Sequence, residues 1–226
     1  MTMARPTLFD FNGVLVDDEH VHLAAFRDVV APLGITLTDE AYVQRYMGFD
    51  DRGAFTAMLR DAGHTIASVR ILALVRAKKP AYMARIADAL RIFPGAAELV
   101  RRRAALGTVG IVSGALEHEI RYCLGRMGIA DHVAFLVPAE ATEACKPDPQ
   151  GYLLARKELA ARGAADGRAV VIEDSIAGVQ AAKAAGLRCA AVAHAHDAAA
   201  LTAAGADVVA ATIAELTDAM LDGEDG

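Results

Sequence analysis

The sequence predicts an α/β fold: a three-layer sandwich built on a parallel sheet, with an all-helical domain inserted after the first strand. Three observations lead there. Four short apolar runs, at residues 7–11, 108–112, 169–172 and 188–192, each end in small or acidic residues. Helical patterns follow them, and near-continuous apolar strands alternating with helices read as a parallel sheet covered on both faces. One stretch, residues 17–90, breaks the alternation with consecutive amphipathic helices.

Each element can be taken in order. The first strand, 7–11, runs into Gly13, where the backbone can turn sharply. The insert then reads as helices at 20–31, 39–46, 52–62 and 68–89. Phe93-Pro-Gly95 punctuates the return of the chain to the sheet. Residues 1–16 and 91–226 are thus expected to form a Rossmann-like sheet domain, and residues 17–90 a smaller helical one. A further strand is expected at 133–137, between the second and third runs, and 207–209 as a last edge strand. The acidic tail from Leu221 to Gly226 is expected to fray. A small helical domain hinged on an open sheet places a cleft at the carboxyl ends of the strands.

The bulk properties exclude several classes of function. A chain of 226 residues with 54% hydrophobic and 23% charged residues reads as an ordinary soluble protein. A net charge of −6, with no basic stripe to offset it, excludes non-specific nucleic-acid binding. The amino terminus has no room for the apolar core of a signal peptide, and no run of about 18 apolar residues follows. A cytoplasmic protein without a membrane partner is expected, monomeric or weakly dimeric. Cys123, Cys145 and Cys189 are widely spaced, odd in number and fit no zinc pattern.

The chemistry-bearing residues fall at strand ends. Asp10 lies at the end of the first strand, where a carboxylate serves as nucleophile or metal ligand. Ser113 and Gly114 end the second, leaving a hydroxyl and backbone N–H groups that suit a phosphate oxygen. Lys146 opens the proline-stiffened turn Lys146-Pro-Asp-Pro149. Glu173 and Asp174 end another strand, and two adjacent carboxylates repel unless a cation sits between them and Asp10; oxygen ligands of this kind suit magnesium. Read singly, each has an ordinary explanation: a turn cap, a helix N-cap, a solvated lysine, an acidic helix start. All four at the ends of parallel strands make a stronger pattern.

Asp10-Phe-Asn-Gly13-Val-Leu15, Lys146-Pro-Asp-Pro149 and Glu173-Asp-Ser-Ile-Ala-Gly178 resemble the haloacid dehalogenase (HAD) superfamily, in its capped branch of beta-phosphoglucomutase-like enzymes and sugar-phosphate phosphatases. The resemblance covers nearly the whole chain. It implies a magnesium-dependent hydrolase of a small phosphorylated metabolite, a phosphomonoester or sugar phosphate, with residues 17–90 as an all-helical cap. It assigns nucleophilic attack to Asp10 and phosphoryl binding to Ser113 and Lys146. Magnesium falls to the Asp10 carboxylate, the backbone carbonyl of Asn12 and Asp174, with Glu173 close by. In the cap it points to His22, Gly48, Arg52 and Lys78 as substrate-binding residues.

Asn12 departs from the pattern, which has an aspartate there to protonate the leaving group and activate water. Three explanations stand open. A hinge residue, Asp17, Asp18, Glu19, His20 or His22, takes the role. The reaction differs, as in phosphonatases, with Lys78 or Lys79 as a Schiff-base amine, or in dehalogenases. Or asparagine has been introduced in place of aspartate. A weakened protein that only binds a phosphorylated ligand is the alternative from another class. The turn Tyr46-Met-Gly48-Phe-Asp-Asp-Arg52 carries Asp51 where the mutases of the family place an arginine, which favours a monophosphate hydrolase over a mutase.

Overall fold

The computed structural model describes residues 4–164 and 166–223. Its elements in chain order are β1 (Thr7–Phe9), α1 (Glu19–Val30), α2 (Asp39–Arg45), α3 (Asp51–Asp61), α4 (Ser68–Ala89), α5 (Ala96–Leu106), β2 (Val109–Val112), α6 (Glu117–Met127), β3 (Phe135–Val137), α7 (Gln150–Ala161), β4 (Val170–Glu173), α8 (Ile176–Ala184), β5 (Arg188–Val192), α9 (Ala198–Ala203), β6 (Val208–Ala210) and α10 (Asp218–Asp222). The chain divides into two compact units, residues 4–17 with 92–223 and residues 18–91.

The first unit holds one six-stranded sheet in the order β3-β2-β1-β4-β5-β6, all pairs parallel. Helices flank it, so the expected α/β class holds. The strands are buried along almost their whole length, which explains why they read as unbroken apolar runs. Leu8, Val112, Val171, Cys189 and Leu201 belong to one core with Tyr152 and Leu159 of α7. Strand order reverses between β1 and β4, and ligands of open α/β sheets bind at such a switch point.

Several expected boundaries move. Pairing of the first strand stops at Phe9 because the chain turns immediately afterwards, with Leu15 N–H donating to the Phe11 carbonyl. Residues 130–132 form a 3-10 turn, which delays β3 to Phe135. Asp207 lies outside β6; its carboxylate accepts from the Cys189 N–H and from Lys183. Cys123 and Cys189 are buried, whereas Cys145 is exposed.

The expectation of a frayed tail is overturned for Leu221 and Asp222. Leu221 is fully buried, and Asp222 accepts from the Arg5 N–H at 2.9 Å and from the buried Arg103 guanidinium at 2.6 and 2.8 Å. Arg103 also reaches Thr7 Oγ1 and the Arg5 carbonyl, so the last helix is tied to the first strand. Residues 224–226 lie outside the described residues, as do 1–3.

The second unit is helical throughout. Phe26, Tyr42, Tyr46, Phe55, Met58, Leu59 and Ile71 form its core, with Phe26 and Phe55 edge to face at 5.0 Å. Among the described residues no helix is long and apolar enough to cross a membrane.

Candidate active site

The strand ends at the switch point bring three carboxylates together. Phe9 pairs with Ile172, and the Asp10 N–H donates to the Ile172 carbonyl at 2.9 Å. Asp10 therefore leaves β1 beside Glu173 and Asp174 at the end of β4. All three are buried, and each offers an oxygen within 4.8 Å of the others.

Lys146 enters this group from the turn before α7. Its Nζ donates to Asp10 Oδ1 at 2.7 Å, to Glu173 Oε1, and to the Val112 carbonyl at 3.3 Å. It is thus no solvated loop lysine. Burial alone would push its amine down, but the charges of Asp10 and Glu173 outweigh burial and hold it above its ordinary range. Burial pushes Asp10 up to about 7, with Lys146 pulling down and Glu173 adding to the rise.

Glu173 is the anchor of the group. Its Oε1 also accepts from Tyr152 OH at 2.7 Å, and its Oε2 faces the Asp174 and Ser175 N–H groups and the Ser175 hydroxyl at 3.0–3.3 Å. Gly178 makes this possible: a Cβ there would stand 1.9 Å from the Glu173 carboxyl carbon. The cap of α8 is Ser175, so the acidic pair precedes the helix instead of decorating its first turn.

Ser113 is buried after β2, and its Oγ accepts from the Ala115 N–H at 3.0 Å and lies 3.4 Å from Asn12 Oδ1. The N-cap of α6 is Leu116, so Ser113 is not the helix cap. Gly114 beside it is exposed. Three carboxylates against one ammonium leave excess negative charge, and oxygen donors so grouped fit a hard divalent cation such as magnesium.

In the helical unit, Lys78 is fully buried on α4, its Nζ 2.7 Å from His22 Nδ1, paired with Asp51 and 4.1 Å above the Phe26 ring. Asp18 accepts from Tyr82 OH at 2.5 Å and stands 3.3 Å from His22 Nε2. His20 is exposed, and Glu19 accepts from Tyr42 OH. Gly48 and Arg52 are exposed, Gly48 with φ +89. The structure therefore joins His22 and Lys78 to each other, with Asp51 as a further partner.

Sequence reasoning missed Tyr152, the partner of Glu173, and the pairing of Asp51 with Lys78. It also missed His194, whose Nδ1 lies 2.7 Å from the Gly13 carbonyl. The partners are far apart in sequence, and no periodicity encodes them.

A parallel sheet that brings a buried aspartate, a lysine and an acidic pair together at its switch point defines an α/β protein with a candidate active site there. Comparison with known proteins makes the assignment specific. The profile of the haloacid dehalogenase-like hydrolases matches residues 7–192. Protein CbbY of Cereibacter sphaeroides is 30% identical over 194 residues, covering 83% of each chain. Validoxylamine A 7'-phosphate phosphatase of Streptomyces hygroscopicus subsp. limoneus is 27% identical over 216 residues, 95% of this chain and 96% of that protein. The crystal structure of CbbY from Rhodobacter sphaeroides in complex with phosphate superposes with a TM-score of 0.82 at 27% identity, covering 97% of this chain and all of that one. The chain belongs to the haloacid dehalogenase-like hydrolase family, and it is an enzyme of that class.

Proposed function

We propose that the protein is a magnesium-dependent phosphatase of small phosphorylated metabolites, phosphomonoesters or sugar phosphates, working through an aspartyl phosphate on Asp10. The observation that carries the reading is the convergence of Lys146, Glu173 and Asp174 on Asp10 at the switch point of the sheet. The phosphate bound to CbbY and the phosphate ester in the name of the Streptomyces relative support it.

Asp10, Asp174 and the backbone carbonyl of Asn12 would hold a magnesium ion, and Glu173 completes the acidic group while orienting Lys146. The ion, when bound, neutralises charge on the phosphoryl oxygens. Ser113, Gly114 and Lys146 bind the same oxygens, and catalysis is mainly positioning and charge stabilisation. An Asp10 carboxylate oxygen attacks phosphorus as the ester P–O bond breaks, and the leaving oxygen takes a proton from solvent water. Water then attacks the phosphorus of the aspartyl phosphate and gives up its proton to solvent, which frees the Asp10 carboxylate and inorganic phosphate. Asn12 can neither give nor take the protons in these steps.

Residues 17–90 serve as the helical cap domain, with His22, Gly48, Arg52 and Lys78 as its candidate substrate-reading residues. The engagement of Lys78 by Asp51 and His22 speaks against Schiff-base chemistry, and the acidic group speaks against a metal-free dehalogenase.

The test is phosphate release with magnesium over a panel of phosphomonoesters, nitrophenyl phosphate and acetyl phosphate, beside Asp10→Ala. Release that disappears in Asp10→Ala is expected. No release from any substrate, even from Asn12→Asp, would overturn the proposal.

A further inference from the structure

We propose that His194 is a positioning residue for the nucleophile loop, holding the Gly13 carbonyl so that the Asn12–Gly13 turn keeps the geometry in which it faces Asp174. The inference rests on the phosphatase reading only for its kinetic expectations.

His194 follows β5, and its Nδ1 lies 2.7 Å from the Gly13 carbonyl oxygen. A carbonyl only accepts, so Nδ1 carries the proton and the tautomer is fixed. The ring stacks on Phe93, with centroids 4.0 Å apart and planes 16° from parallel. Phe93 in turn donates its N–H to the Leu15 carbonyl at 3.1 Å, and Val16 bridges to Ile92. The imidazole is thus held from behind by the segment that re-enters the sheet unit and grips the loop in front of it.

The gripped residue is the one with most freedom to move. Gly13 sits at φ +76, a region glycine enters readily and leaves as readily. Its N–H is bound to the Val16 carbonyl at 2.9 Å, and His194 binds its carbonyl, so both peptide planes flanking the glycine are fixed. Gly13 also stands against Asp174, where an added Cβ would lie 2.0 Å from Oδ2. Rotation of this peptide would shift both the Asn12 carbonyl and the wall beside Asp174. His194 touches neither substrate nor the reacting atoms; it acts through the loop, as outer partners of metal ligands do.

Two substitutions separate its two contacts. His194→Phe keeps the stack on Phe93 and loses the donor, whereas His194→Asn loses the stack and keeps an N–H donor near the position of Nδ1. Loss of such a partner costs about 10–100-fold in metal affinity or activity. For His194→Phe we expect the magnesium concentration for half-maximal activity to rise about tenfold or more, kcat to fall, and substrate KM to stay within about twofold. His194→Asn should recover most of the loss. Hydrogen exchange of the Gly13–Val16 amides, read in the magnesium-free protein, should accelerate in the Phe variant and not in the Asn variant. Because exchange needs no turnover, it decides the role of His194 even if the wild-type protein releases no phosphate, an outcome that would count against the phosphatase reading alone. Unchanged exchange and unchanged magnesium dependence in His194→Phe, or equal damage in both variants, would overturn the proposal.

Discussion

Gly13 packs so tightly against Asp174 that a methyl group in place of its α-hydrogen would stand 2.0 Å from the Asp174 Oδ2. The turn after β1 and the carboxylate after β4 thus share one surface, and the φ of +76 adds a second demand for glycine. Gly13→Ala meets both obstacles. A left-handed backbone costs an alanine about 1–2 kcal/mol, and relief of the contact must displace Asp174. The variant is expected to melt at lower temperature and to lose phosphatase activity by about 100-fold or more, as a misplaced catalytic group does. A melting curve and phosphate release check both. An active Gly13→Ala would show that Asp174 need not stay where the structure puts it.

Asn12 sets a second expectation, because its side chain faces Ser113 at 3.4 Å inside the candidate site but cannot titrate. Asn12→Asp should raise turnover of alkyl phosphates, whose leaving oxygen needs a proton, by about 10²–10⁴-fold. Acetyl phosphate and nitrophenyl phosphate, with good leaving groups, should gain much less in their first step. A pre-steady-state comparison of the two substrate types reads the difference. Equal gains would show that the carboxylate acts through charge or metal binding instead.

Tyr152 offers a test of the anchor. Its hydroxyl donates to Glu173 Oε1 at 2.7 Å in a fully buried setting, and burial followed by the Glu173 charge holds the phenol well above its ordinary range. It stays a donor at every pH at which the protein is assayed. Tyr152→Phe removes one of the donors to a buried carboxylate, and should cost about 1–3 kcal/mol of stability. Since Glu173 also holds Lys146, activity should fall with it. Chemical denaturation that shows no loss would mean that other donors to Glu173 fully compensate.

The sheet was legible because strands buried on both faces carry unbroken apolar runs, and Asp10, Lys146, Glu173 and Asp174 were legible as candidates because each ends or follows a strand or opens a rigid turn. What pairing decides was not. The run at 7–11 reads as one strand, yet the ladder stops at Phe9 because the loop folds back on Phe11. Composition suggested a frayed acidic tail, since nothing in the sequence shows that Arg103 is buried and needs Asp222. The Lys78 pairing with Asp51 was hidden for the same reason: ion pairs between residues distant in sequence leave no periodic trace.

Arg103 is the basis of a stability prediction far from the chemistry. Its guanidinium is fully buried and is bound by Asp222, by Asp218 at 3.1 Å, by Thr7 and by the Arg5 carbonyl. Arg103→Ala leaves the Arg5 carbonyl, Thr7 and the half-buried Asp222 without their donor, which should cost about 1–3 kcal/mol. Burial pushes Asp222 up, but its bonds to Arg103 and Arg5 outweigh this and hold it below its ordinary value. The stability it contributes is therefore present above the unfolded carboxylate pKa and lost as the pH falls through the lower folded one. Arg103→Ala should accordingly flatten the acid side of the stability profile as well as lower it.

Asp10 has the opposite sign, and magnesium should reverse it. Burial raises its folded pKa to about 7, above an unfolded value of about 3.9. The stability linked to this proton is complete below about pH 4 and is lost as the pH rises through 7. Three pKa units set a ceiling of about 4 kcal/mol on that loss. Lys146, raised above its ordinary range, keeps its contribution through neutral pH and does not offset the change. Magnesium bound by Asp10 and Asp174 needs the Asp10 carboxylate ionised, so protons and the ion compete for the same group. At 100 times its dissociation constant the ion would add about 2.7 kcal/mol. The rise in melting temperature on adding magnesium should therefore be larger at pH 8 than at pH 5.5, and Asp10→Asn should abolish the difference. An equal rise at both pH values would place the ion away from Asp10 and remove the ground for a carboxylate that serves as both ligand and nucleophile.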